Sequence, residues 1–532
     1  MNPLSITILS LCGIYMILNF KHDIHMLQQN SYRPERYWRW LQKGDMSSTW
    51  RMIDLCMLFM LMASNYLPFQ LGALIIAIVC ITKSFMILRK KHKKALVFTR
   101  RVWRLYSVTA LLAAGAVVAT AICTRGETYS YVYNGFRVTL FLLLVICIMS
   151  WGVVYIALYI LMPVESGINN GFKKDAMRRL AAMPDLKVIG ITGSYGKTST
   201  KHYLQRILSE KYETLMTPGS YNTPMGVVRT IREMMKPYTE VFICEMGAKQ
   251  KGDIKEICDI VHPRMGIITA VGPMHLETFK SIENVQSTKF ELADAVPADG
   301  LVVVNNDFEY CANRPVDNAS CIRYAAASVD GAEYVARDIK YGPEGTTFTL
   351  EGPDGLSMQF DTKLVGECNV SNLVAAIIIG LKLEVPVEKI QYAVRKIEQV
   401  QHRLSMARTP AGITIIDDAF NSNPSGSKMA VDVLAQFPGK RIIVTPGMVE
   451  LGDRQYELNK EFGRYLGDRV DIAVVVGEYN REAIVDGIKE SGLNEDALHI
   501  VDTFPEAQAL LGGIMAAGDA VLYENDLPDS FK

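Results

Sequence analysis

A chain of 532 residues is too long for one ordinary domain and predicts two to four. With 49% hydrophobic residues, 21% charged residues and 21 prolines, it is neither a small binding module nor a largely disordered polymer. The formal net charge is zero but unevenly placed: residues 1–164 hold 17 Lys and Arg against 5 Asp and Glu, and the remainder carries the opposite surplus of 12 acidic groups.

Four apolar tracts occupy the basic part, at residues 4–20, 53–88, 108–123 and 138–162. The second is too long for one span and is interrupted around Leu67-Pro68-Phe69, as a tight hairpin between two short helices requires. Five transmembrane helices are therefore predicted. The first tract has no basic stretch before it and no clear small-residue cleavage site after it, which favours a span over a cleaved leader. Cations gather after the first span, from Lys21 to Arg51, and after the third, from Arg89 to Arg104, so those loops are expected in the cytoplasm. The N-terminus is then outside a bacterial-type cytoplasmic membrane, and everything after Met162 is inside. Lys83 lies a turn and a half from Arg89 and is expected to snorkel to the interface. Trp38, Trp40, Trp50 and Trp103 are interleaved with arginines, as in an interfacial belt that contacts membrane lipids. The ten cysteines form no CxxC pair, so small buried thiols are expected rather than disulfides or a zinc ribbon.

At residue 186 the texture changes. Residues 186–192 read as a buried parallel strand, followed by Gly193-Ser194-Tyr195-Gly196-Lys197-Thr198-Ser199-Thr200 and a helical stretch at 202–212. Strand, glycine turn and helix together make a phosphate cradle: glycines let backbone amides approach the anion, and the helix N-terminus adds its dipole. Lys197 would offset the charge of terminal phosphates and the Thr198 hydroxyl would bind Mg2+. The full P-loop pattern is not met, because Ile191 stands five places before Gly196 where that pattern has glycine.

From this turn onward the chain resembles the Mur ligase family, ATP-dependent enzymes that join an amino acid or short peptide to a carboxylate of a cell-wall precursor. The shorter turn with Gly193 and Gly196-Lys197-Thr198 is that family's form. The resemblance implies that Gly193 to Ser199 bind nucleotide. It makes Asn222 and Thr223, in Thr217-Pro218-Gly219-Ser220-Tyr221-Asn222-Thr223-Pro224, part of a substrate and phosphate loop. It makes Glu245, after the strand at 241–244, an acidic metal ligand. His275 would face a second Mg2+. Lys289 stands where many members carry a carbamylated lysine, whose anionic oxygens suit a hard cation; an unmodified lysine on a helix surface is the alternative.

Asn369 and Asn372 resemble the family's adenine-contacting asparagines. Arg403, Asp417, Asn421 and Asn423 would complete the nucleotide site from the C-terminal domain, although Asn423 followed by Pro424 also reads as a helix N-cap and first turn. The block at 417–424, with Pro446-Gly447-Met448-Val449-Glu450-Leu451-Gly452, is most similar to the branch that adds D-alanyl-D-alanine. Two departures stand out. Members normally begin with a soluble domain for the uridine-diphosphate sugar, whereas here only the 22 residues at 165–186 separate the membrane tracts from the strand. Where that branch has a lysine-glycine-serine turn, this chain has Tyr523-Glu524-Asn525-Asp526-Leu527-Pro528.

The expected organisation is a helical membrane domain at 1–164, a linker at 165–186, an α/β P-loop ATPase domain at 187–404 with a mainly parallel sheet, and a smaller Rossmann-like α/β domain at 405–532. The implied function is a membrane-anchored amide ligase using ATP and two Mg2+ ions, with Lys197, Glu245, His275, Lys289 and Arg403 as its catalytic groups. Its partners would be a carboxylate-bearing cell-wall precursor, soluble or lipid-linked, and an amino acid or dipeptide amine; no nucleic acid is expected. The alternatives are a membrane polyamino-acid synthase of the polyglutamate type and a non-catalytic nucleotide-binding scaffold for wall assembly.

Overall fold

Apolar runs of some twenty residues satisfy their backbone groups internally as helices. The computed structural model describes residues 3–42, 55–56, 59, 69–89, 95–123, 129–327, 330–342, 345–420 and 422–527. The chain forms two units, Met1–Asn170 and Gly171–Lys532.

The first unit contains the helices Pro3–Gln29, Pro34–Trp40, Phe69–Arg89, Arg100–Cys123 and Tyr129–Ile148, and the start of Ser150–Ala181. One apolar core gathers Cys12, Tyr15, Ile76, Cys80, Leu140 and Leu144, and another Phe20, Ile24, Tyr37, Val102, Leu105 and Leu158. Two pairs of polar groups lie inside: Ser150 Oγ donates to Asp23 Oδ2 at 2.5 Å, and Arg104 Nε to Glu165 Oε1 at 2.7 Å. On the helix Phe69–Arg89, Leu74, Ile78, Ile81 and Phe85 form a stripe that is 52–57% exposed, an apolar face turned away from the unit.

Among the described residues, two helices, Arg100–Thr120 and Ser150–Ala181, are long and apolar enough to cross a membrane; Val138–Ile148 is shorter. The expected count of five is not reached among them, and most of the span expected at 53–64 lies outside them. The tract at 138–162 is divided at Met149, whose carbonyl accepts from the amides of both Gly152 and Val153 in a tightened turn. Lys83 does not snorkel. It is 2% exposed, with its ammonium 5.8 Å above the ring of Tyr15, a partner that replaces part of its hydration.

In the second unit, nine strands make one sheet: β1 (Lys187–Thr192), β2 (Thr214–Met216), β3 (Val241–Glu245), β4 (Met265–Ile268), β5 (Leu301–Asn305), β6 (Ser320–Ala325), β7 (Tyr334–Gly342), β8 (Gly345–Glu351) and β9 (Ser357–Thr362). Their spatial order is β2-β3-β1-β4-β5-β6-β7-β8-β9, parallel as far as β7 and antiparallel beyond it. Alternate residues feed two cores, Ile189 and Ile243 one face, Val188 and Phe242 the other, as a sheet covered on both sides requires. Chain order reverses direction at β1, between β3 and β4, so the crevice beyond its C-terminal end is the place where such sheets bind ligands.

A six-stranded sheet follows: β10 (Ser405–Arg408), β11 (Thr414–Asp418), β12 (Arg441–Thr445), β13 (Ile472–Val476), β14 (Leu498–Val501) and β15 (Ala520–Glu524), ordered β10-β11-β15-β12-β13-β14. Only the β10–β11 pair is antiparallel. Both sheets match the α/β architecture expected of them.

Candidate active site

β1 runs into the glycine turn, and the next helix, Lys197–Leu208, begins directly at Gly196 rather than at residue 202 as expected. Lys197 and Thr198 are thus in the first helical turn, where backbone amides lack intrahelical partners. Gly196 has φ +79°, and a Cβ there would lie 2.3 Å from Asn372 Oδ1; Gly193 has φ +153°, and its Cβ would lie 2.1 Å from Thr269 Oγ1. Glycine alone fits both positions. The Ser194 hydroxyl donates to the Gly272 carbonyl and accepts from the Gly272 amide, each at 3.1 Å, and the Tyr195 ring lies against Phe308. Ser199 is buried behind the turn. Lys197 Nζ donates to the carbonyls of Gly193, at 2.6 Å, and Ser194, at 3.2 Å. Burial pulls its pKa down to about 8 against the carboxylate of Glu245, and the guanidinium of Arg403 adds to the fall.

β3 delivers Glu245, 1% exposed, beside this turn. Its Oε1 accepts from Asn222 Nδ2 at 3.0 Å and Thr198 Oγ1 at 3.3 Å, and its Oε2 from Lys201 Nζ at 2.9 Å. Burial works to raise the Glu245 pKa, but the charges of Lys201 and Lys197 and the Asn222 amide outweigh it, so the carboxylate is held below its ordinary range. A hydroxyl beside an ionised carboxylate is a hard donor pair suited to Mg2+, whose remaining ligands are usually phosphate oxygens and water. The residues fit the ion. Among the described residues, no group of three or more His, Cys, Asp or Glu is placed to hold a metal. Thr223 caps the helix Pro224–Glu233 by accepting from the Gly226 amide at 3.3 Å.

A second group forms around His275, which has φ +53°. Its Nδ1 pairs with the carboxylate of Glu450, whose other oxygen accepts from Lys249 Nζ at 3.1 Å. Burial lowers the His275 pKa against that carboxylate. Glu450 is itself held well below the carboxylate range by His275 and Lys249 despite burial. Lys289, on the helix Ile282–Ala295, is 3% exposed, so it is no surface lysine. Burial drives its pKa well below the lysine range, with Lys197 adding and Asp253 and Glu291 opposing.

From the bend just before β10 comes Arg403, its guanidinium 4.3 Å above the ring of Phe420. Burial lowers its pKa, with Asp418 and Glu245 opposing. His402 pairs with Asp417 at 2.7 Å, and Asp418 accepts from the Leu404 amide at 3.0 Å, its own pKa raised by burial to about 6.

Comparison with known proteins adds to this geometry. Residues 191–380 match the Mur ligase middle domain, and residues 402–523 the Mur ligase glutamate ligase domain. UDP-N-acetylmuramoyl-tripeptide–D-alanyl-D-alanine ligase of Mycobacterium bovis is 31% identical over 367 residues, 63% of this chain and 70% of that protein. The chain belongs to the Mur ligase family. It is accordingly an ATP-dependent, ADP-forming acid–amino-acid ligase. The Bacillus subtilis protein of the same name is 28% identical over 64% of this chain and 72% of its own length. The MurF ligase of Thermotoga maritima, solved with ADP, superposes with a TM-score of 0.61 at 26% identity, covering 67% of this chain and 80% of that one.

Within this ligase, Lys197, Thr198, Asn222 and Glu245 come together as one cluster, and His275 and Lys289 border it with Glu450. Asn369 and Asn372 instead hold protein groups: Asn369 Oδ1 accepts from the Tyr203 hydroxyl at 2.7 Å, and Asn372 Oδ1 from Thr200 Oγ1 at 3.1 Å. Asn423 Oδ1 accepts from the Gly426 amide at 2.8 Å with Pro424 next, which is the N-cap alternative. Asn421 lies outside the described residues. Sequence reasoning missed Lys201, Lys249 and the pairing of Glu450. Lys201 had a signal: with Lys197, Leu204 and Leu208 it follows helical spacing along a stripe whose apolar members are buried.

Proposed function

We propose that this ligase is anchored in a membrane and activates the carboxylate of a cell-wall precursor peptide as an acyl phosphate. The carrying observation is that the glycine turn after β1 and the acid that ends β3 meet in one site, with Lys197 Nζ 2.6 Å from the Gly193 carbonyl and Thr198 Oγ1 3.3 Å from Glu245 Oε1. A carboxylate is a poor acyl donor, because its charge repels nucleophiles and its oxygen leaves badly. Its oxygen attacks the γ-phosphorus of ATP, the bond to the bridging oxygen breaks, and ADP departs. An amine then attacks the carbonyl carbon, and phosphate leaves with one of the original carboxylate oxygens. Lys197 and Arg403 offset the charge on the transferring phosphoryl group. Two Mg2+ ions, one held through Thr198 and Glu245 and one through His275 and a carbamylated Lys289, would add Lewis acidity there. Burial supports the modification of Lys289, since only an unprotonated amine combines with carbon dioxide.

The membrane reading rests on the two long apolar helices and on the exposed stripe Leu74, Ile78, Ile81 and Phe85, which water would penalise and lipid would not. The incoming amine is D-alanyl-D-alanine in the relatives' names, and the sequence departs from that branch at 523–528, where Tyr523-Glu524-Asn525-Asp526-Leu527-Pro528 stands in place of a lysine-glycine-serine turn. ADP release by the detergent-solubilised protein tests the reading, with uridine-diphosphate muramoyl-tripeptide or its lipid-linked equivalent, each with D-alanyl-D-alanine. Turnover with either supports it, and turnover with the lipid form alone would assign the membrane helices a part in substrate recognition. Silence with both substrates while ATP still binds would overturn this choice of substrates.

A further inference from the structure

Lys201 is 0% exposed, and its ammonium has two partners: Glu245 Oε2 at 2.9 Å and the Gly219 carbonyl at 2.7 Å. A cation this deeply buried is tolerated only when its hydrogen bonds are satisfied by charge and dipole. The consequence falls on Glu245. One carboxylate oxygen is occupied by a protein cation, leaving Oε1 as the oxygen beside Thr198, with Asn222 Nδ2 as its neutral donor. Both Gly219 and Asn222 belong to the loop between β2 and the helix Pro224–Glu233. That loop is therefore fastened to the Glu245 carboxylate twice, once through Lys201 and once directly, and Thr217 Oγ1 also accepts from the Glu245 amide at 3.1 Å.

We infer that Lys201 is a positioning residue: it fixes the Glu245 carboxylate so that Oε1 alone is offered to the metal, and it ties the 217–223 loop to that carboxylate. This rests on the reading of Glu245 as a metal ligand. Groups that orient a ligand from behind typically change metal affinity by about 10- to 100-fold when removed.

The test is a titration of Mn2+, followed by electron paramagnetic resonance, into the detergent-solubilised full chain with ADP present. Wild type, Lys201→Met and Glu245→Gln are compared, and ADP affinity is measured separately without metal. Lys201→Met is expected to weaken Mn2+ binding by about 10- to 100-fold while metal-free ADP affinity stays within about twofold. A folded Lys201→Met protein with wild-type Mn2+ affinity, beside a weakened Glu245→Gln, overturns the inference. Wild-type Mn2+ affinity in Glu245→Gln overturns the ligand reading itself. Should Lys201→Met not fold, Lys201→Gln replaces it. Its side chain is one atom shorter and cannot hold both partners, so weakened Mn2+ binding supports the inference and wild-type binding overturns it.

Discussion

At the scale of single residues, the phosphate turn concentrates its chemistry in Lys197. Its ammonium lies over two turn carbonyls and within the fields of Glu245 and Arg403. Lys197→Ala should lower turnover by at least about 100-fold with little change in melting temperature; ADP release and thermal unfolding check this. Gly196→Ala demands a left-handed φ and drives a methyl group into Asn372, so calorimetry should find ATP binding lost. For Lys289, 13C NMR under labelled bicarbonate should show a carbamate resonance that is missing from Lys289→Arg; no resonance in wild type would refute the carbamate.

Among elements, the helix Pro424–Leu434 starts at an Asn423 cap, and Asn423→Ala should destabilise the protein by about 1 kcal/mol in thermal unfolding. At the end of β15, Glu524 is fully buried, with Oε1 accepting from Ser427 Oγ at 2.8 Å and Oε2 from Thr445 Oγ1 at 2.6 Å. Burial raises its pKa to about 7 from the unfolded value of 4.5. The folded state therefore keeps a proton that the unfolded state releases, so this contribution is full below pH 4.5 and is lost as pH rises through 7. Glu524→Gln should flatten that fall, worth at most about 3 kcal/mol, in melting curves taken across the interval.

Strands such as β3, β12 and β13 were legible because parallel strands buried on both faces read as unbroken apolar runs. Lys197 and Thr198 carry a local signature in the glycine turn, whereas Glu245 entered only through the resemblance to the family. The start of the next helix was not, since polar Lys197 to Lys201 hide the burial that makes them helical. Nor was the pairing of Glu450 with His275, 175 residues apart, or the hydroxyl cage of Glu524, drawn from β12 and the helix Pro424–Leu434: no local pattern announces a contact between residues so far apart in the chain.

For the whole molecule, an apolar helical unit on a nucleotide-dependent ligase predicts that the protein stays with membranes after alkaline carbonate extraction. A C-terminal epitope should be shielded from protease in intact spheroplasts. Release by carbonate would contradict the anchor while leaving the ligase chemistry untouched. The chemistry has its own direct test. Muramoyl-tripeptide carrying 18O in its terminal carboxyl group is turned over with ATP and D-alanyl-D-alanine, and the released phosphate is weighed by mass spectrometry. Transfer of one 18O atom to each phosphate is the predicted result; unlabelled phosphate released at the rate of ADP would contradict carboxylate activation.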